Sequence, residues 1–427
     1  MKNNNSIFRN IFTMSAGTVL AQSINVVVQP ILTRLVTPDV LGIYSYIVSL
    51  ATMIIPVASL KIDMLIVSEE DDSLAQYITD VCIIIVTLLS FVYCVILSIM
   101  YFGFGTNMIT KYGYIVFFVP LIVFTNGIRF LFISYNNRYR QYKVIAGIGL
   151  LRECARAVIQ VLSGVLHFGV IGQLTGYAAA PIFGFSFQTK QYFEKLHDRN
   201  KLTFELFKTV LYKGKNQILY LVPAQFINSF SSSFVTICIT SLYSAKSLGY
   251  YSAGSRLLEI PIIFLAANVS KVCFKEISEK VSNKEVVMPI LVRIISVLSL
   301  MSIVIFGILF LIAPQLAEFI FGNGYYTAGL YIKCLCVMYA VRIVSTSFSG
   351  LFTVFDKQYY EFLLNVFLVA VAFGIYFYCK FHSVPIETYL WMIGFGYTFM
   401  YVLMLIGYIV LCLNHDKKVK VINNVQF

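Results

Sequence analysis

Residues 33–45 read TRLVTPDVLGIYS and residues 240–252 read TSLYSAKSLGYYS, one segment met twice at an offset of 207 residues. Six of the thirteen aligned positions are identical: Thr33/Thr240, Leu35/Leu242, Leu41/Leu248, Gly42/Gly249, Tyr44/Tyr251 and Ser45/Ser252. The same offset sets Glu69 on Glu276, and Arg140-Gln141-Tyr142 is echoed farther on by Lys357-Gln358-Tyr359. The chain therefore reads as a duplication, and each copy of the segment sits between long apolar stretches.

Those stretches place the protein in a membrane. Hydrophobic residues make up 59% of the chain and charged residues only 12%, a balance outside the range of water-soluble domains. A helix needs about 20 mostly apolar residues to span a bilayer. Candidate spans fall near 11–32, 40–61, 79–102, 114–133, 143–166 and 168–187, then 217–241, 250–270, 287–311, 329–352, 361–380 and 389–413. The expected fold is an all-α polytopic membrane protein of about twelve transmembrane helices. They form two pseudo-symmetric six-helix bundles, 1–187 and 217–427, joined by a basic cytoplasmic connector, 188–216. Six spans per half return the chain to the same side, so the halves are parallel repeats about an axis along the membrane normal. The connector carries Lys190, Lys195, Arg199, Lys201, Lys208, Lys213 and Lys215 among Leu202, Phe204, Phe207, Val210 and Leu211. It reads either as an amphipathic helix on the anionic inner leaflet or as a solvated loop.

Basic residues in the short loops set the orientation. With the N-terminus inside, 21 Lys and Arg lie on the cytoplasmic side and 4 outside: Arg34, Lys111, Lys246 and Lys380. Both termini are expected in the cytoplasm. The net charge of +12 is then a topology signal and gives no reason to invoke nucleic acid. The acidic turn Glu69-Glu70-Asp71-Asp72 sits on the same side, and Asp63 and Asp80 are expected to be solvated at cytoplasmic ends of spans.

Seven further cations fall inside the spans: Arg129, Arg152, Arg156, Arg256, Arg293, Lys333 and Arg342. A cation at the bilayer centre costs about 2.5–3.5 kcal/mol even on the lenient insertion scale, so such residues face water, a counter-ion or an anionic cargo. Arg152 and Arg156 lie four apart and share a helix face. With Arg342 they are the first candidates for binding a phosphate-bearing substrate, since guanidinium offers a planar fork to phosphate oxygens. Arg129, Arg256 and Arg293 are second candidates, and Lys333 reads as interfacial. Static pairing is the rival reading: Arg152 or Arg156 with Glu153, and Arg256 with Glu259. Those two glutamates are the carboxylates set well inside spans. They serve either H+ or Na+ coupling or simple charge balance.

Other chemistry leaves little trace. The four histidines sit in loops or near span ends, and Cys334 and Cys336 are too close for the usual Cys-x-x-Cys, so no metal, disulfide or other cofactor is expected. Gly172, Gly176, Ala180 and Gly184 form a small-residue ridge for helix packing. The seventh span is rich in hydroxyls and amides from Gln225 to Thr236, a face for a cavity or a helix contact.

Two segments carry a family resemblance. Arg34-Leu35-Val36-Thr37-Pro38-Asp39-Val40-Leu41-Gly42-Ile43-Tyr44 resembles the first extracytoplasmic turn of Wzx-type polysaccharide flippases, with Arg34, Pro38, Gly42 and Tyr44 at the motif positions. Phe321-Gly322-Asn323-Gly324-Tyr325-Tyr326-Thr327-Ala328 resembles their link before the tenth span. These flippases belong to the multidrug/oligosaccharidyl-lipid/polysaccharide (MOP) exporter superfamily, so the resemblance implies a fold like that of its multidrug (MATE) members. It also implies a bacterial inner-membrane protein that moves polyprenyl-pyrophosphate-linked oligosaccharide to the outer leaflet by alternating access, for O-antigen or capsule synthesis. A polysaccharide polymerase and a chain-length regulator would be its partners. Two rivals remain. An ion-coupled multidrug exporter of the same superfamily should carry acids in its cavity rather than arginines. A membrane polymerase should have a large outside loop, and the longest here, near 313–328, is short.

Overall fold

The computed structural model describes residues 2–103, 112–195 and 203–425. Lys111, His197, Arg199, Lys201 and Leu202 lie outside them. Twelve helices of 11 to 40 residues among the described residues correspond to the expected spans. Before the connector come α1 (Lys2–Leu35), α2 (Pro38–Ile54), α3 (Asp72–Ser98), α4 (Phe118–Arg138), α5 (Tyr142–Val165) and α6 (Gly169–Ala179). After it come α7 (Val222–Leu242), α8 (Ala245–Pro261), α9 (Met288–Phe321), α10 (Tyr326–Thr346), α11 (Gln358–His382) and α12 (Ile386–Val425). Ten stretches among the described residues are long and apolar enough to cross a membrane. α5 falls short of that measure because Arg152, Glu153 and Arg156 crowd its middle.

Packing divides the chain into two compact units, Met1–Gly249 and Tyr250–Phe427. In the first unit α1 lies along α5, α5 along α6, and α2 against α4 and α7. Close approach is built in where side chains are absent. A Cβ on Gly17 would sit 2.6 Å from the Cβ of Ala146, and one on Gly172 would sit 2.4 Å from that of Ser163. The ridge at Gly172 and Gly176 is thus the α5–α6 seam. Its amides close the seam: Gln173 Nε2 donates to the Gln160 carbonyl at 2.9 Å, and Gln160 Nε2 to the Gln173 carbonyl at 3.1 Å. Ser229, Ser231 and Ser233 of α7 are buried, whereas Asn228 and Ser232 are exposed.

The duplicated segment has a geometry of its own. A Cβ on Gly42 would lie 1.9 Å from the Ala245 carbonyl oxygen, and a Cβ on Gly249 would lie 1.8 Å from that of Pro38. The 207-residue offset pairs Gly42 with Gly249 and Pro38 with Ala245. Each copy therefore seats its glycine on the first helical turn of the other.

The acidic turn is a hub that gathers cations. Arg138 donates to the carbonyls of Ile66 at 2.9 Å, Glu69, and Glu70 at 3.2 Å, and meets Asp72 at 2.7 Å. Two connector lysines join it, Lys195 to Asp72 at 3.2 Å and Lys213 to Glu69. The helix Phe204–Lys213, capped by Thr203, buries Val210 and packs on α3 while Phe204 stays exposed. Asp63 and Asp80 depart from the expected solvation. Ser59 and Ser134 donate to Asp63 at 2.5 and 2.9 Å, and Tyr192 donates to Asp80, because hydroxyls from neighbouring helices reach both carboxylates.

In the second unit α9 lies along α10, and α12 packs on α10 and α11. A Cβ on Gly329 would lie 2.2 Å from the Pro314 Cα, so these helices nearly touch at the backbone. Asp416 of α12 takes the amides of Val287 and Met288 at 2.8 and 2.9 Å, a remote cap for the start of α9.

Candidate functional site

Three of the seven intraspan cations converge in the first unit. Arg129 from α4 and Arg152 and Arg156 from α5 line one pocket of about 350 Å³, the volume of roughly a dozen liquid waters. Gln22 and Asn25 from α1, Thr52, Pro56, Asn126 and Tyr177 complete its polar and aromatic wall. The two α5 arginines share a face because they are four residues apart. Their depth is fixed by the Gly17–Ala146 and Gly176–Gln160 contacts on either side of the helix.

Glu153 is the acid in this wall, and it is buried at 2% exposure. Arg152 Nη2 donates to one carboxylate oxygen. Arg156 Nη2 lies 2.7 Å from the other, an ion pair at that distance though off the line of a hydrogen bond. Arg156 also donates to Asn25 and stands over the Tyr177 ring at 5.6 Å. Glu153 therefore pairs with Arg152 and Arg156 together, where the sequence expected one or the other. Three guanidiniums against one carboxylate leave a formal excess of two positive charges. Arg129 carries the excess most plainly. It sits over the Phe130 ring at 4.0 Å, and its Nε is buried with no hydrogen-bond partner among the described residues. A buried cation without full compensation is costly. Arg152 and Arg156 each keep 20% of their side-chain surface exposed, and an anion entering the pocket would meet guanidiniums from two helices.

The remaining candidates are distributed elsewhere. In the second unit the Arg342 guanidinium stands 5.3 Å from the Tyr339 ring, in a cluster with Glu259, Tyr251 and Tyr401 that act on it electrostatically. Lys333 lies 5.8 Å from the Phe310 ring. Arg256 is half-buried on α8 and Arg293 is exposed on α9. Of the turn-motif residues, Pro38 begins α2, Gly42 makes the close contact already described, and Tyr44 meets Tyr177 edge-on at 6.3 Å. Arg34 is exposed at the end of α1. Among the described residues no group of three or more His, Cys, Asp or Glu is placed to hold a metal ion.

Gln22, Asn25, Asn126 and Tyr177 enter the pocket without having been expected there. The signal was present in part: Gln22 and Asn25 are amides three apart in an apolar stretch, a spacing that puts both on one helix face.

The comparisons follow the same division between fold and site. The family model described as "Polysaccharide biosynthesis protein" matches residues 31–328. A search of the curated proteins finds no match. Among solved structures, an inward-facing multidrug resistance MATE family transporter of the MOP superfamily is similar at a TM-score of 0.69 and 14% identity, covering 93% of this chain and 96% of that one. The lipid II flippase MurJ in an inward closed conformation is similar at 0.65 and 12% identity, with 98% and 93% covered. A MOP superfamily transporter from Pyrococcus furiosus, described as having a binding pocket of reverse polarity, is similar at 0.53 and 15% identity, with 96% and 95% covered. At these identities the likeness is one of fold. Twelve helices arranged as in MOP transporters, and a family match over most of the length, make this chain a multi-pass membrane protein that belongs to the polysaccharide biosynthesis protein family.

Proposed function

We propose that the protein is a flippase that carries a polyprenyl-diphosphate-linked oligosaccharide from the inner to the outer leaflet of the bacterial cytoplasmic membrane. It does so by alternating access between a lobe of residues 1–187 and one of 217–427, with both termini in the cytoplasm. The pocket of Arg129, Arg152 and Arg156 carries this reading, since its two excess positive charges suit a diphosphate. Arginine binds phosphate oxygens through two parallel hydrogen bonds, with more specificity than a point charge. Glu153 and Glu259, the two carboxylates set well inside spans, are the candidate groups for H+ or Na+ coupling. The product would feed a polymerase and a chain-length regulator in O-antigen or capsule synthesis.

A multidrug exporter has the same fold among its relatives, but a pocket of this sign repels the cationic compounds such a protein would have to bind. Reconstitution in vesicles tests the choice. Translocation of a fluorescent lipid-linked oligosaccharide is the expected activity, and extrusion of a cationic dye without it would refute the proposal. Arg129→Ala, Arg152→Ala and Arg156→Ala should each leave insertion intact and slow translocation roughly ten- to hundredfold, the worth of one hydrogen bond to a charged group. Lys should rescue each in part, and Glu should abolish transport.

A further inference from the structure

An apolar groove of about 580 Å³ runs along the outside of the cationic pocket, bounded by α3, α4 and the chain after α6. The two cavities share one wall residue, Pro181. We infer that this groove holds the isoprenoid chain of the substrate whose diphosphate sits on the arginines, an inference that rests on the flippase reading above.

The local backbone explains how the cavities meet. α6 ends at Ala179, turns once through Ala180–Ile182 around Pro181, and extends at Phe183. It resumes as helix Phe185–Glu194 after Gly184, whose φ of +83° is a left-handed turn that glycine makes without strain. Irregular backbone at membrane depth is tolerated where it is buried or lines a cavity, and here it has a cavity on each side. Ala180 lines the pocket and Ile182 lines the groove.

The groove is dry. Its two hydroxyls are already bound, Thr125 to the Ile122 carbonyl at 3.4 Å and Tyr192 to Asp80. Leu121, Phe124, Ile128 and Phe132 supply the rest of the α4 wall. A second apolar hollow of about 460 Å³ between α5 and α6 shares no residue with the pocket. Adjacency at Pro181 therefore selects the first. The prenyl chain begins at the carbon bonded to the diphosphate, so it needs an apolar surface next to the charged pocket, and at Pro181 the groove adjoins that pocket.

The test uses the full-length protein in vesicles of phosphatidylethanolamine and phosphatidylglycerol. The probe is farnesyl diphosphate with a photoreactive group on its terminal isoprene, and head-group binding is read separately as stabilisation by inorganic diphosphate. The label should appear on Phe124, Ile128 and Ile182, and unlabelled farnesyl diphosphate should compete where added phosphatidylglycerol does not. Ile128→Trp should cut labelling about tenfold with inorganic diphosphate binding unchanged. Ile182→Trp should do the same from the exposed rim, where a larger side chain leaves the core intact. Label spread over outward residues such as Phe91 and Val92, or lost to phosphatidylglycerol, while inorganic diphosphate still binds, overturns the groove alone. No stabilisation of the wild type by inorganic diphosphate overturns the flippase reading, and this inference with it.

Discussion

Changing Glu153 to Gln separates a diphosphate pocket from a static salt bridge. The carboxylate holds Arg152 and Arg156 at once, and its loss raises the pocket's excess from two positive charges to three. Removing one partner of a fully buried pair costs about 3–5 kcal/mol. The arginines keep 20% of their surface open and Gln keeps an acceptor, so the cost here should be about 1–2 kcal/mol. For a unit of this size that lowers the unfolding temperature by roughly 2–8 °C. Binding should move the other way. At about 8 Å and an effective dielectric of 20, the carboxylate repels each unit of phosphate charge by about 2 kcal/mol. Screening at physiological salt reduces this, leaving a gain of roughly tenfold in diphosphate affinity for the variant. Thermal unfolding of the purified protein with and without inorganic diphosphate reads both effects: a lower midpoint empty, and a larger rise on saturation. Weaker binding by Glu153→Gln would refute the reasoning. So would recovery of translocation when Arg152→Ala is combined with Glu153→Ala, since the arginines would then serve only their carboxylate.

Three further outcomes follow from the packing. Gly42→Ala and Gly249→Ala each push a methyl onto a carbonyl oxygen less than 2 Å away, so each should cost about 1–3 kcal/mol. Because they open the same contact, a double-variant cycle by thermal unfolding should show less than additive loss. Asp416→Asn trades one of two amide-accepting oxygens for a donor at the buried start of α9, and chemical unfolding should show a loss of about 1–2 kcal/mol. The Lys213 ammonium holds the Glu69 carboxyl below its ordinary 4.5. A lowered carboxylate value stabilises above the ordinary value and is lost as pH falls through the lowered one, so protease cleavage of the 204–213 helix should rise only below about pH 4.5.

The helical plan was legible because each span is a long apolar run, and α5 could be read despite its charges because the flanking residues are apolar. The site was legible in part. Arg152 and Arg156 declare a shared face by spacing alone, but that Arg129 joins them from α4 depends on how α4 packs, which one sequence does not carry. Arg342 was a first candidate and Arg293 a second, and the structure sets the one against the Tyr339 ring and leaves the other exposed. Solvent-facing and cavity-facing positions differ by helix rotation, and hydrophobicity barely records that inside a membrane. The partners of Asp63 and Asp80 escaped notice for a similar reason: a serine or tyrosine reaching across from another helix leaves no local mark.

The contact of Gly42 on Ala245 and of Gly249 on Pro38 is what a twofold axis does to a single surface, each side presenting the same patch to the other. A half-length ancestor that carried the segment once would therefore dock onto a second copy of itself by this very patch. Fusion of two such copies would turn an association between molecules into one within a chain, at a far higher effective concentration. It would also release the halves from having to stay alike: Pro38 has drifted against Ala245 and Asp39 against Lys246. The glycines, each set against one carbonyl oxygen of the other copy, leave no room for a side chain.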